Sequence, residues 1–205
     1  MMAKHLPRWS WWVVGIAFIA AIAAAVIFFV RAVRPSLPPG LVEKRDAVAR
    51  LLEDGSRIAD VDIKPLVALE AKKDFTGAVA LMEQALAANA RQEELNASLT
   101  AVSQDLAKLS VGVEPDAIGA KAVEAFGILA KLAEAERKFY ADRRRLYEMT
   151  RDYYRALMGR QQPPIPENLR LLVDAVNADQ ESAKTLHGQF AAAIKAFDEA
   201  VGRLR

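Results

Sequence analysis

The chain has 205 residues, 53% apolar, 26% charged and 7% aromatic, with a formal net charge of +2, no cysteine and two histidines. Without cysteine there is no disulfide framework, thiolate metal site or cysteine nucleophile, and His5 and His187 alone do not make a histidine-rich metal centre. The basic excess belongs to residues 1–34, which carry four basic and no acidic side chains; the remaining 171 carry 24 basic and 26 acidic, so no nucleic-acid partner is expected.

Residues 1–10 read as a flank containing Lys4 and Arg8, and residues 11–30 (WWVVGIAFIAAIAAAVIFFV) hold no charge. Twenty helical residues at ~1.5 Å each match a hydrocarbon core of roughly 30 Å. The run therefore predicts a single transmembrane helix, with Trp9, Trp11 and Trp12 at the interface and the membrane as first partner. The rival reading is a secretory signal cut near Ala23-Ala24-Ala25. Such a signal has an apolar core of about 7–15 residues, and cleavage there leaves VIFFV as an exposed stub. The expected localisation is thus single-pass membrane. The nearest basic residues, Lys4 and Arg8 before the span and Arg31 and Arg34 after it, do not fix the side. The N-terminal amine tips the balance slightly toward N-inside, with the domain outside. Ala17, Ala21 and Ala25 form a small-residue stripe on which membrane helices can pack, a route to a homo-oligomer.

Residues 31–40 form a juxtamembrane linker, in which Pro35-Ser36-Leu37-Pro38-Pro39-Gly40 is stiff and helix-breaking. Residues 41–205 read as an all-α domain. A short helix over 41–53 stops at Gly55, and a connection follows over 56–64. Three long helices are predicted over 65–109, 115–159 and 166–204. Pro65, Pro115 and Pro166 each suit a first helical turn. Their separators, Val111-Gly112-Val113 and Gln161-Gln162-Pro163-Pro164, are short enough to make neighbours antiparallel.

Steps of three and four residues pick out a seam in each long helix. The first is Leu81, Ala85, Ala88, Gln92, Leu95, Leu99, Val102, Leu106 and Leu109. The second runs from Ile118 through Leu129, Glu136, Phe139 and Arg143 to Leu157, and the third from Leu169 through Asp179, Phe190 and Phe197 to Leu204. The expectation is an elongated antiparallel bundle of three long helices and one short, with coiled-coil-like seams, about 55–65 Å long.

Residues 73–86 (KDFTGAVALMEQAL), with Phe75, Ala78 and the Ala85-Leu86 pair at matching offsets, resemble the second half of a tetratricopeptide repeat. No second copy recurs, and a solenoid needs about three, so the resemblance implies no function. The segment reads as a helical hairpin or a continuous helix.

Three consecutive heptads, RKFYADR, RRLYEMT and RDYYRAL, align Arg137, Arg144 and Arg151 with Tyr140, Tyr147 and Tyr154 three positions on. They predict a cation–π ladder and a candidate interaction face over residues 137–155. The plainer reading is a bundle seam flanked by solvated charges paired to neighbours. Asp179, the one charge in the last seam, is expected to pair with Arg143 in the interior and to fix register. His187 reads as a partly buried or surface histidine. There is no phosphate-cradling glycine loop, GxSxG elbow or HExxH pair. No catalytic residue, metal ligand or cofactor is therefore assigned. The sequence points to a non-catalytic scaffold or interaction module with a protein partner. The alternative is capture of an anionic ligand or lipid headgroup on the Arg/Tyr face.

Overall fold

Glycine or proline stands at several of the helix ends, Gly40, Pro65, Pro115 and Gly159 among them. The computed structural model describes residues 36–159, 161 and 168–202. These form α1 (Leu41–Arg57), α2 (Pro65–Ala71), α3 (Phe75–Ser110), α4 (Asp116–Met158) and α5 (Leu169–Gly202). Among the described residues there is no strand, only one isolated β-bridge, in which Ser36 and Glu114 exchange backbone hydrogen bonds of 3.0 and 3.1 Å. That bridge fastens the linker to the turn between α3 and α4.

α1 begins after Gly40, whose φ of 82° lies in the left-handed region, and it runs on through Gly55 to Arg57. The predicted helix over 65–109 is two helices, a correction to the expected set of three long and one short. Lys73 takes a left-handed φ of 57°, and the Lys73 and Asp74 amides donate to the Glu70 and Leu69 carbonyls. This is a Schellman ending with lysine in the place glycine usually takes. Asp74 then caps α3 by accepting from the Gly77 amide at 2.9 Å. The stretch resembling a tetratricopeptide repeat is this turn followed by one continuous helix.

Partners climb one helix as they descend the next, which makes α3, α4 and α5 successive antiparallel neighbours. Asn96 meets Glu136 and Asn89 meets Arg143 between α3 and α4; Lys138 meets Asp179 and Phe126 meets Phe197 between α4 and α5. α1 straddles α3 and α5, with Lys44 on Asp105 at 2.6 Å and Arg45 on Asp198 at 2.9 Å. The 43 residues of α4 give the bundle a length of about 65 Å.

The apolar core fills the half of the bundle nearest the α3–α4 turn, where Leu41, Leu106, Phe126, Leu129 and Phe197 are buried and the two phenylalanine rings meet edge-on at 5.8 Å. Gly119 allows a close approach there, because a Cβ at that position stands 2.6 Å from the Val113 carbonyl oxygen.

The described members of the α4 and α5 seams are buried or half-buried as expected. The α3 seam differs. Ala85, Gln92, Leu99 and Leu106 are buried, but the alternate positions Leu81, Ala88, Leu95, Val102 and Leu109 are only half-buried. The deepest alternates are Met82, Asn89, Asn96, Ser103 and Ser110. Small or hydrogen-bonded side chains face the interior, and the leucines pack to the sides. Ser103 and Ser110 satisfy their hydroxyls on the Thr100 and Ala107 carbonyls of their own helix, so they behave as small residues in the seam.

Among the described residues no helix is long and apolar enough to cross a membrane. The expected span 11–30, its flank, the Ala17/Ala21/Ala25 stripe, Pro35 and Leu204 lie outside the described residues.

Two substitutions check the packing. Phe197→Ala empties the edge-on contact and should cost about 3–5 kcal/mol in urea unfolding. Gly119→Ala should cost about 1–3 kcal/mol, because the carbonyl it meets is backbone and must be pushed aside.

Candidate functional site

Midway along the bundle the apolar seam gives way to a polar layer. α3 contributes Asn89, Gln92 and Asn96, α4 contributes Glu136, Tyr140 and Arg143, α5 contributes His187, and the connection between α1 and α2 contributes Asp60. Helical spacing accounts for the gathering: Asn89, Gln92 and Asn96 lie three and four residues apart, as do Glu136, Tyr140 and Arg143.

Arg143 is buried, with its side chain 9% exposed, and each of its three guanidinium nitrogens has an acceptor. Its Nε donates to Asn89 Oδ1 at 2.7 Å, Nη1 to Asp60 Oδ1 at 3.0 Å, and Nη2 to Gln92 Oε1. Its guanidinium also stands 4.8 Å from the Phe139 ring centroid, 5.2 Å from Tyr140 and 5.9 Å from Tyr147. Asn89 Nδ2 donates in turn to Glu93 and to the Tyr140 carbonyl. Arg143 thereby pins the irregular connection carrying Asp60 against the bundle.

Glu136, also buried, anchors the second half of the layer. Asn96 Nδ2 donates to its Oε2 at 2.9 Å, and His187 Nε2 stands 2.7 Å from its Oε1. The two face a cavity of about 250 Å³ whose walls include Leu51, Leu52, Gln92, Leu95 and Tyr140. The hydrogen bond to Glu136 raises the His187 pKa above the usual 6.5; burial opposes this and the carboxylate charge adds to it. Burial pushes the Tyr140 phenol up to about 12, and the Glu136 charge adds to the effect. A carboxylate–imidazole pair can hold a proton or a cation. Ser56, the hydroxyl on the α1 side of this cavity, donates to its own helix at Glu53.

The expected pair of Asp179 with Arg143 does not form. Both are buried, but Asp179 Oδ1 takes Lys138 Nζ at 2.6 Å and its Oδ2 has no hydrogen-bond partner. Arg143 points toward α3 instead, where two amide oxygens and Asp60 satisfy it.

The arginine–tyrosine ladder is also corrected. Arg137 pairs with Glu134, Arg144 with Glu93 and Arg151 with Asp152. The tyrosines turn inward: Tyr140 and Tyr147 are half-buried beside Arg143, and Tyr154 is buried, stacked on Phe75 with its hydroxyl 3.4 Å from Glu70. Heptad alignment puts Arg and Tyr at different angles around the helix, so one set faces carboxylates outside while the other joins the seam. The cation over the rings is Arg143.

Sequence reasoning missed Asn89, Asn96, Asp60 and the Glu136–His187 contact. The available signal was the polar stripe Asn89, Gln92 and Asn96, three amides at seam spacing. Among the described residues no group of three or more His, Asp or Glu side chains could hold a metal ion.

Arg143→Met strands the Asn89 and Gln92 oxygens and should cost about 1–3 kcal/mol for each. Hydrogen exchange over residues 58–64 should quicken in the same variant. Asp179→Asn should change stability by less than about 1 kcal/mol, because the Lys138 that it releases already lies largely in water. The His187–Glu136 pair makes stability depend on pH. Its contribution is complete below the ordinary histidine value and is lost as pH rises through the higher folded-state value. The urea midpoint of the parent should therefore exceed that of His187→Gln by more at about pH 6 than at about pH 8.5.

No protein-family model, curated protein or solved structure matches this chain.

Proposed function

We propose that the protein is a single-pass, membrane-tethered helical bundle that works as a non-catalytic interaction module or scaffold, presenting the end opposite its tether to a protein partner. One observation carries this reading. The linker joins the bundle at the α3–α4 turn through Ser36 and Glu114, and of the eight large apolar side chains exposed among the described residues five lie toward the other end, with Val42, Val111 and Val123 toward the linker. Val67 is 75% exposed, Leu171 71% and Met158 48%. The same end holds an apolar cavity of about 320 Å³ between α2, α3, α4 and α5, lined by Leu66, Met82, Leu146, Tyr153, Tyr154 and Val173 among others. Water-facing apolar surface of this kind is a mark of a partner site. The alternative, an anionic ligand or headgroup on the Arg/Tyr face, has to displace the carboxylates already paired with Arg137, Arg144 and Arg151.

The test is photo-crosslinking in native membranes. Full-length protein carrying a crosslinker at Val67 or Leu171 should trap a discrete partner, and Val67→Glu with Leu171→Glu should abolish its co-purification. Alanine at Arg137, Arg144 and Arg151 should leave that partner bound. The opposite pattern, with binding to anionic vesicles lost in the arginine variants, assigns the alternative function. The full-length protein should also resist carbonate extraction; recovery of a mature form beginning near Val26 rejects the tether.

A further inference from the structure

The cavity at Glu136 has features that structural packing alone does not require. Arg143, the other buried charge of the layer, has an acceptor on each of its three guanidinium nitrogens. Glu136 has one amide donor and one imidazole, and it faces open space of about 250 Å³. His187 is the only group lining that space that can carry positive charge, and its side chain is 46% exposed, so it can swing outward.

A second hollow adjoins the first. Between α1 and α5 runs an apolar groove of about 330 Å³, walled by Val48, Phe126, Phe190 and Ile194. Leu52 and His187 line both spaces. The imidazole thus stands where a buried carboxylate meets an apolar trough. Few polar groups converging at one end of an apolar concavity are the usual anatomy of a small-molecule site.

We propose that this composite cavity binds a soluble alkylamine, its ammonium on Glu136 in place of His187 and its alkyl chain in the groove between α1 and α5. The ammonium has up to three donors to distribute between the two Glu136 carboxylate oxygens and the Tyr140 hydroxyl, and a carboxylate in a low-dielectric site binds a cation more strongly than one in water. The alkyl chain covers Val48, Phe190 and Ile194. An anionic head is disfavoured because it sets a second negative charge beside Glu136. An aminophospholipid is disfavoured for the same reason, since its phosphate accompanies the amine. His187 serves as the occupant of the empty site, a replaceable partner that keeps Glu136 hydrogen-bonded until the ligand arrives.

The chain's two histidines make the test direct. Full-length protein labelled with ¹³C-histidine is placed in phosphatidylcholine nanodiscs and titrated with n-hexylamine, n-hexanol or hexanoate. Hexylamine should move the His187 ring signals saturably at millimolar concentration or below, leaving those of His5 in place. Hexanol and hexanoate should not. Glu136→Gln removes the charge and should weaken hexylamine binding by about tenfold to a hundredfold. Leu52→Trp fills the junction of the two hollows, leaves Glu136 untouched, and should weaken binding as much. No saturable shift in the parent overturns the assignment, as does equal binding of hexanol or unchanged affinity in Glu136→Gln. Should Glu136→Gln fail to fold, Leu52→Trp decides alone, and retained affinity there overturns the site.

Discussion

A guanidinium taken out of water must have its donors satisfied inside the protein, and Arg143 imposes that requirement on three segments at once. Its fork draws Asn89 and Gln92 of α3 into the seam and holds Asp60, which is itself largely exposed, against the bundle. α1 and α2 lie along α3 with a non-helical connection between them, and Asp60 is where that connection touches the interior. Gln92 Nε2 also donates to Asp60 Oδ1, but at 3.4 Å against 3.0 Å for Arg143, so the charged contact is the stronger hold on the connection. The aromatic rings of Phe139, Tyr140 and Tyr147 close the other side, giving the cation a face to rest on while excluding water.

The same layer settles a problem that the composition creates. Helices rich in alanine can approach closely, but alanine seams are repetitive, and a slip of one heptad replaces one small residue by another. Polar residues placed once along the seam remove that freedom. Asn96 finds Glu136, and Asn89 finds both Arg143 and the Tyr140 carbonyl, in a single register. A slip leaves buried amides and charges without partners, each at a cost of about 1–3 kcal/mol or more. Stability and register therefore come from different parts of the molecule. The Leu/Phe half around Phe126 and Phe197 supplies most of the apolar burial, and the middle decides alignment.

These two roles explain what could be read from the residues in advance. Helix content, antiparallel order and the α4 and α5 seams follow from periodicity, proline and glycine, because apolar residues at steps of three and four fall on one face however the neighbours are arranged. The α3 seam could not be placed the same way. Apolarity favours Leu95 over Asn96, and only the presence of Glu136 opposite makes Asn96 the deeper residue. The break between α2 and α3 was concealed for a related reason. Lys73 is a good helix former, and its left-handed conformation is chosen by the Asp74 cap and by the packing of α2, both outside its own propensity. Asp179 and Arg143 were rightly placed in their seams, yet each found a partner on a different side. Pairing depends on angle around the helix as well as height along it.

The arrangement also separates the bundle's tasks along its length. The end at the α3–α4 turn takes the linker and the bulk of the core. The middle carries the only described layer in which charges are buried together, and beside it lies an unfilled concavity. The far end leaves apolar and aromatic side chains in or near water. A bundle built only to hold two points apart can fix its register with the Asn96–Glu136 pair and has no need of open space beside the carboxylate. Retaining a charge there has a physical rationale if something charged comes and goes. His187 fits that account: it is attached to Glu136 by one hydrogen bond, is open to solvent on its other side, and is placed where the polar and apolar hollows meet.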